Sequence, residues 1–393
     1  MSEAPTAAAA TTVGIVAGEA SGDALAATLI AAARARMPQL RFAGVAGPKM
    51  VAAGCEQWVS TEKLAVRGVT EVVRHLPSLI AIRRELASRF IAERVPVFVG
   101  VDAPDFNLGL ERRLRARGVR TIHFVSPSVW AWRRGRIATI GRAADRVLAL
   151  FPFEPPLYEA AGVPVTYVGH PMAAHAASDW SRRTMRERLR LGFATPVFAL
   201  LPGSRLSEIE MHASVVIDAA RRIAKARPDA RFLVPLVSRA TREAFEQAIW
   251  REGAGEVPMT LLYGHANDAL RAADVGIVAS GTATLEAALA RCPHVIFYKV
   301  SAVTARLVRP RLLVPWVGLP NVLAGRFVVP ELVQEEATGE NLAIAALNLF
   351  DDTVARHAIE RVFASFAREL SADTGALAAD ALMGELARSG ARA

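Results

Sequence analysis

The sequence predicts an α/β fold of two domains, each built on a parallel sheet. Three observations predict it. Short apolar, β-branched runs alternate with longer helical patterns along most of the chain. The runs pass directly into turns of glycine and small polar residues, as strands do when they feed helices. The 393 residues are enough to bury two full cores.

The first series of strands is expected at 13–17, 42–45, 97–101, 121–125, 147–150 and 165–168, with helices at 23–36, 79–93 and 108–117 between several of them. A second series is expected at 197–201, 232–237, 260–263, 275–279 and 294–299, with helices near 207–227, 239–252, 266–272 and 282–291. Such near-continuous apolar strands belong in a sheet covered on both faces. The division falls at Gly169-His170-Pro171, before the poorly patterned stretch 173–185. The expected first domain is 1–172 and the second 173–354, with helices in 355–393 packing back on the first domain or on a partner subunit. Two Rossmann-like domains facing across a cleft bring loops from strand ends around one ligand.

Lys and Arg total 47 against 38 Asp and Glu, a formal charge of +9. That balance suits phosphorylated substrates or anionic lipid headgroups. Only 7% of residues are aromatic and no nucleic-acid motif is present, so no nucleic acid is expected as partner. Cys55 and Cys292 form no metal-ligand cluster and suggest no disulfide framework, which fits a reducing cytoplasm. The N-terminal stretch has no positive n-region, so no signal peptide is expected, and residues 2–12 read as a loose Ala-rich tail. No window reaches roughly 20 uninterrupted apolar residues, the length a spanning helix needs.

Five motifs follow strands and could carry chemistry. In the first, Gly18, Glu19, Ser21 and Gly22 stand before Asp23. Two glycines there permit close ligand approach to backbone amides; the plainer reading is a tight turn with Ser21 or Asp23 capping the helix. The second is Val101 to Asn107, where Pro104 stiffens the loop. Asp102 or Asp105 could serve as a general base, Asp102 lying nearer the strand end; Asp105 or Asn107 could instead cap a helix. The third, Ser126 to Arg136, sets Trp130 and Trp132 beside Arg133, Arg134 and Arg136. It reads as an amphipathic wall for a lipid phosphate, or as interior tryptophans beside a basic helix start.

The fourth motif holds Gly203, Ser204 and Arg205, whose guanidinium fork could grip a diphosphate, before an expected Ser207-to-Glu210 capping box. A surface arginine is the plainer alternative. The fifth is Ala279 to Glu286. Ser280, Gly281 and Thr282 leave a helix start open to phosphate, and Glu286 could accept ribose hydroxyls; alternatively the helix is simply well capped. No HExxH, paired CxxC, DxD, GxSxG or Walker sequence appears, so neither metal nor cofactor is expected. A sugar-nucleotide leaving group would then rely on Arg205 and the helix dipole.

Together with GVAGPKM (44–50), LAVRGVTEVV (64–73), FPFE (151–154), VGHPM (168–172) and LPNVLAGRFVVPELVQEE (319–336), these motifs resemble the bacterial lipid-A-disaccharide synthase family over nearly the whole chain after residue 12. The resemblance implies an inverting glycosyltransferase of the GT-B fold. It implies transfer from UDP-2,3-diacylglucosamine to 2,3-diacylglucosamine 1-phosphate (lipid X) through a β-1,6 bond, releasing UDP. By the same resemblance the general base falls on Asp102, the diphosphate arginine on Arg205, the nucleotide loop and glutamate on 280–286, and a functional asparagine on Asn321. A homodimer with exchanged C-terminal segments is a further family trait. Other readings are another GT-B UDP-N-acetylglucosamine transferase or epimerase, or a non-catalytic nucleotide-lipid-binding protein.

Two segments, 66–90 and 299–316, mix apolar residues with arginines. Pro77, Pro310 and Pro315 are expected to break them into short pieces. They suit the cytoplasmic leaflet of the inner membrane, met peripherally, or else ordinary helices packed on a core.

Overall fold

The computed structural model describes residues 11–64, 69–132, 135–176, 181–301, 304–306 and 313–390. The chain forms two compact units, Met1–Pro171 with Leu370–Ala393, and Met172–Glu369.

The first unit holds seven parallel strands: β1 (Thr12–Ala17), β2 (Arg41–Ala46), β3 (Cys55–Ser60), β4 (Val97–Val101), β5 (Arg120–Phe124), β6 (Arg146–Ala149) and β7 (Val165–Tyr167). Their order across the sheet is β3-β2-β1-β4-β5-β6-β7. β1 and β4 lie at the centre, in register from Gly14 opposite Phe98 to Ala17 opposite Val101. Every residue of β4 is buried, as a sheet covered on both faces requires. β3 was not expected: it is an edge strand of mixed composition in which Glu56 and Gln57 stay exposed, so no apolar run announces it. The strand β1 takes in Thr12, which the sequence had assigned to the tail; residues 2–10 lie outside the described residues.

The second unit holds six parallel strands in the order β10-β9-β8-β11-β12-β13: β8 (Val197–Leu201), β9 (Arg231–Leu236), β10 (Met259–Tyr263), β11 (Val275–Ala279), β12 (His294–Tyr298) and β13 (Glu331–Val333). The three-residue edge strand β13 was also unanticipated, being too short to show a period.

The helix Thr353–Leu370 packs Phe363 and Phe366 into the second core. The helix Thr374–Gly390 sets Ala378, Ala379 and Leu382 against Leu25, Ala26 and Leu29 of the helix Ala20–Arg36 in the first. A fully buried glutamate pins it there: Glu385 accepts from Arg120 at 2.6 Å and from Arg146 at 2.9 Å. Burial alone would raise the Glu385 carboxyl, but these two guanidiniums override it and hold it below the usual range.

Pro77 does not break its segment. One helix, Val69–Ala92, runs through it. An internal proline removes a single hydrogen bond, and the downstream part is anchored by Leu86, Ala87 and Phe90 in the core. No helix among the described residues is long and apolar enough to cross a membrane.

Candidate functional site

In the first unit the loops after β1 and β4 meet. Gly18 is buried, and a Cβ placed on it would stand 2.4 Å from the Ala103 Cβ. The small residue therefore lets two strand-end loops touch. Glu19 precedes the helix Ala20–Arg36 with extended backbone and makes no side-chain cap, so the first-turn amides carry none. Glu19 and Ser21 are exposed beside them, while Gly22 packs 3.4 Å (from its would-be Cβ) below the Val101 carbonyl.

The capping reading of Ser21 and Asp23 does not hold. Asp23 is turned inward, 4% exposed, and accepts from the backbone N–H groups of Gly47, Lys49 and Met50, each at 3.0 Å. It fixes the GPKM loop to the first helix.

Asp102 occupies an unusual turn. Its φ is 54° and that of Ala103 is 42°, two consecutive non-glycine residues in the left-handed region. Each such residue costs on the order of 1–3 kcal/mol and persists only where its surroundings hold it, a pattern concentrated at functional sites. The Asp102 N–H donates to the Phe124 carbonyl at 2.8 Å, tying the turn to β5. Its side chain is half-buried. Asp105 differs: it is 90% exposed and ion-paired to Arg136. Neither Asp105 nor Asn107 caps the helix Pro104–Arg115, whose N-cap is Ala103.

Beyond β5, Ser126 hydrogen-bonds the Tyr158 hydroxyl at 2.8 Å. Trp130 meets Phe153 edge-on, and Phe153 stacks on Phe151, both at 5.4 Å between ring centres. Arg133 and Arg134 of this motif lie outside the described residues. The FPFE turn closes on itself, the Phe151 N–H donating to Glu154 at 3.0 Å. Glu154 is 1% exposed, and burial pushes its carboxyl up to about 7.

In the second unit, β8 ends at Pro202-Gly203-Ser204. Gly203 takes φ 133°, with the Glu208 side chain packed against its α-carbon. The helix starts at Leu206 with Arg205 as N-cap, so Ser207 and Glu210 are not the capping box. Glu208 does that work, accepting from the N–H groups of Ser204 at 2.9 Å and Arg205 at 3.2 Å. Arg205 keeps its side chain 67% exposed, only 3.8 Å from Glu208, free to reach a ligand. Beneath the loop the buried His212 donates from Nδ1 to the Pro202 carbonyl at 2.7 Å, leaving Nε2 to accept the Lys299 N–H at 3.2 Å.

The loop after β11 is open. Gly281, at φ 145°, is the N-cap of the helix Thr282–Leu289 and offers no side-chain cap. Gly281 and Thr282 are exposed. The well-capped alternative is therefore set aside: the helix start presents amides and its positive dipole end. Ser280 points elsewhere, donating to the Val317 carbonyl at 2.7 Å. Burial raises the half-buried Glu286 carboxyl.

Asn321 lies in the short helix Leu319–Ala324. It is fully buried, and its amide donates to the Val329 carbonyl and Glu331 while its oxygen accepts from the Val328 and Val329 N–H groups, at 2.7–3.0 Å. Both donors and both lone pairs are taken up within the fold. Glu331 in turn accepts from the Val317 N–H at 2.7 Å and the Gly318 N–H at 3.0 Å. Asn321 and Glu331 thus set the segment to which Ser280 is bound. The sequence pattern named Asp23 only as a cap and did not point to Glu208, His212 or Glu331; of these three only Glu208, at the N3 spacing from Arg205, carried a local signal.

Comparison with known proteins gives these loops a setting. The family model described as lipid-A-disaccharide synthetase matches residues 13–382. The chain belongs to the lipid-A-disaccharide synthase family. It is 52% identical to the lipid-A-disaccharide synthase of Chromobacterium violaceum over 96% of this chain and 97% of that one. It is 45% identical to that of Neisseria meningitidis, over 95% and 97%. Among solved structures it resembles Staphylococcus aureus MnaA with UDP, at TM-score 0.62, 14% identity and 95% of both chains. It also resembles Acinetobacter baumannii MurG, at TM-score 0.55, 13% identity, and 95% and 99% of the chains. With its two parallel-sheet α/β units, this member of the family has the GT-B fold.

Proposed function

We propose that this glycosyltransferase of lipid A biosynthesis joins UDP-2,3-diacylglucosamine to 2,3-diacylglucosamine 1-phosphate, as its family's name implies, with Asp102 as general base. The match of the family model to residues 13–382 carries the reaction. The strained turn that presents Asp102 supports its role.

The C6 hydroxyl oxygen of the acceptor attacks the anomeric carbon of the donor. The bond from that carbon to the UDP phosphate oxygen breaks, and the configuration inverts. The hydroxyl proton passes to the Asp102 carboxylate, and the electron pair leaves on the β-phosphate of UDP. Arg205 and the amides at Gly281 and Thr282 stabilise that developing charge, as preorganised donors do in a water-poor site. Gly203 and Ser204 shape the loop that carries Arg205, and Glu286 accepts from the ribose. Gly18, Glu19, Ser21 and Gly22 line the acceptor side. Asn321 acts through the segment it holds.

The substrates carry acyl chains, so the enzyme works peripherally on the cytoplasmic leaflet of the inner membrane. Leu76 and Leu313, 46% and 45% exposed, are among the described apolar residues of the two segments that would meet it. Much of the second segment, including Val303, Leu307, Val308, Arg309, Pro310, Arg311 and Leu312, and Arg67 of the first, lie outside the described residues. Incubation with both lipid substrates, followed by mass spectrometry, tests the reaction: a tetra-acylated disaccharide monophosphate with release of UDP is expected. UDP-sugar epimerisation, or UDP binding without turnover, would overturn it.

A further inference from the structure

Beneath the Asp102 turn lies a polar cluster that the reaction above does not use. Asn107, Glu111 and His123 are each 0% exposed. Asn107 and Glu111 stand one helical turn apart on Pro104–Arg115 and so share a face. That face meets β4 at Gly100, where a Cβ would lie 2.2 Å from the Glu111 Oε1 and 3.0 Å from the Asn107 Cβ. Only glycine leaves room for the two polar side chains, two residues before Asp102. His123 is the register partner of Gly100 on β5, and its Nδ1 lies 2.7 Å from the Glu111 Oε1.

The Asn107 amide reaches the turn. Its Nδ2 donates to the Asp102 carbonyl at 2.8 Å, with longer contacts to the Val101 carbonyl at 3.3 Å and the Val16 carbonyl at 3.4 Å. One side chain thus links the ends of β1 and β4 to the residue held at φ 54°. Stability does not account for this choice. The Asn107 Oδ1, the Glu111 Oε2 and the His123 Nε2 have no hydrogen-bond partner among the described residues. Buried polar atoms without partners weaken a fold.

We propose that Asn107, seated against Gly100 and braced by the Glu111–His123 pair, is a positioning residue for sugar transfer: its amide holds the left-handed turn that aims the Asp102 carboxylate. The inference rests on the assignment of Asp102 as base. Asn107 touches neither substrate; it fixes the direction of the group that does.

Asn107→Leu tests this in the full-length enzyme, by melting temperature, UDP affinity from calorimetry, and kcat and KM with both lipid substrates. The expected variant folds, melts within several degrees of the parent, binds UDP normally, keeps its donor KM, and loses about 10- to 100-fold in kcat, the scale of a small misplacement of a reacting group. Parent-level kcat in the folded variant overturns the proposal, and so does a kcat loss matched by lost UDP affinity. Should the leucine variant not fold, Asn107→Ala is read the same way, with the same two refuting results. Asp102→Asn is measured in parallel. An active Asp102→Asn overturns both the base assignment and this inference; an inactive one beside a fully active Asn107→Leu overturns the positioning role alone.

Discussion

Asp102→Asn is the sharpest test of the reaction. The change keeps the side-chain shape and removes the carboxylate proposed to take the proton. The structure separates this loss from any loss of folding. Asp102 sits at φ 54°, and asparagine enters the left-handed region at least as readily as aspartate. The hydrogen bonds that hold the turn, from the Asp102 N–H to the Phe124 carbonyl and from the Asn107 side-chain amide to the Asp102 carbonyl, use only backbone atoms of Asp102 itself. The melting temperature should therefore stay within a degree or two of the parent's. UDP is assigned to the second unit, so its affinity should not change. General-base catalysis contributes about 10²–10⁴ in rate, so kcat should fall by that factor, about 2.7–5.4 kcal/mol of lost transition-state stabilisation. The assay is release of UDP under saturating donor and acceptor, with calorimetric UDP binding alongside. A kcat within tenfold of the parent would refute the assignment. Asp105 would not inherit the role easily, because it is exposed and paired with Arg136.

Three further outcomes are expected. Arg205→Ala should lower kcat by about 10²–10³ while saturating EDTA leaves the parent rate intact; inhibition by EDTA that Mg²⁺ reverses would refute leaving-group stabilisation by Arg205 and the Gly281 amides. Leu76→Ser with Leu79→Ser should shift the enzyme from anionic vesicles to the supernatant without lowering its melting temperature, and high salt should release the parent in part; an unfolded variant and a parent that never binds would make the segment core. Burial raises the Glu154 carboxyl to about 7 in the folded enzyme, so the folded state holds a proton that the unfolded chain releases near pH 4.5. Its contribution is fully present below about 4.5 and is lost as pH rises through 7, so Glu154→Gln should gain up to about 3 kcal/mol relative to the parent across that window, followed by denaturant unfolding at several pH values; a constant difference would refute it.

The sequence by itself determined the layered α/β architecture and most of its strands. An interior parallel strand such as Val97–Val101 must be apolar on both faces, and that leaves a run visible without any partner. It also placed the candidate site residues Gly18, Asp102, Gly203 and Gly281 within two residues of the ends of such runs. The edge strands Cys55–Ser60 and Glu331–Val333 left no such run, since an edge buries too little to demand one. The tertiary structure alone decided what neighbouring loops do to one another. Asp23 binds a loop 24 residues on, and Asn321 and Glu331 close on each other and on Val317. Nor could spacing tell that Asp102 lies in a strained turn held by a buried asparagine. Likewise, only packing assigned Thr353–Leu370 to the second core through Phe363, and Thr374–Gly390 to the first through Leu382 and Glu385. A hydrophobic period tells a helix which face to bury; it carries no information about which of two similar sheets will receive that face.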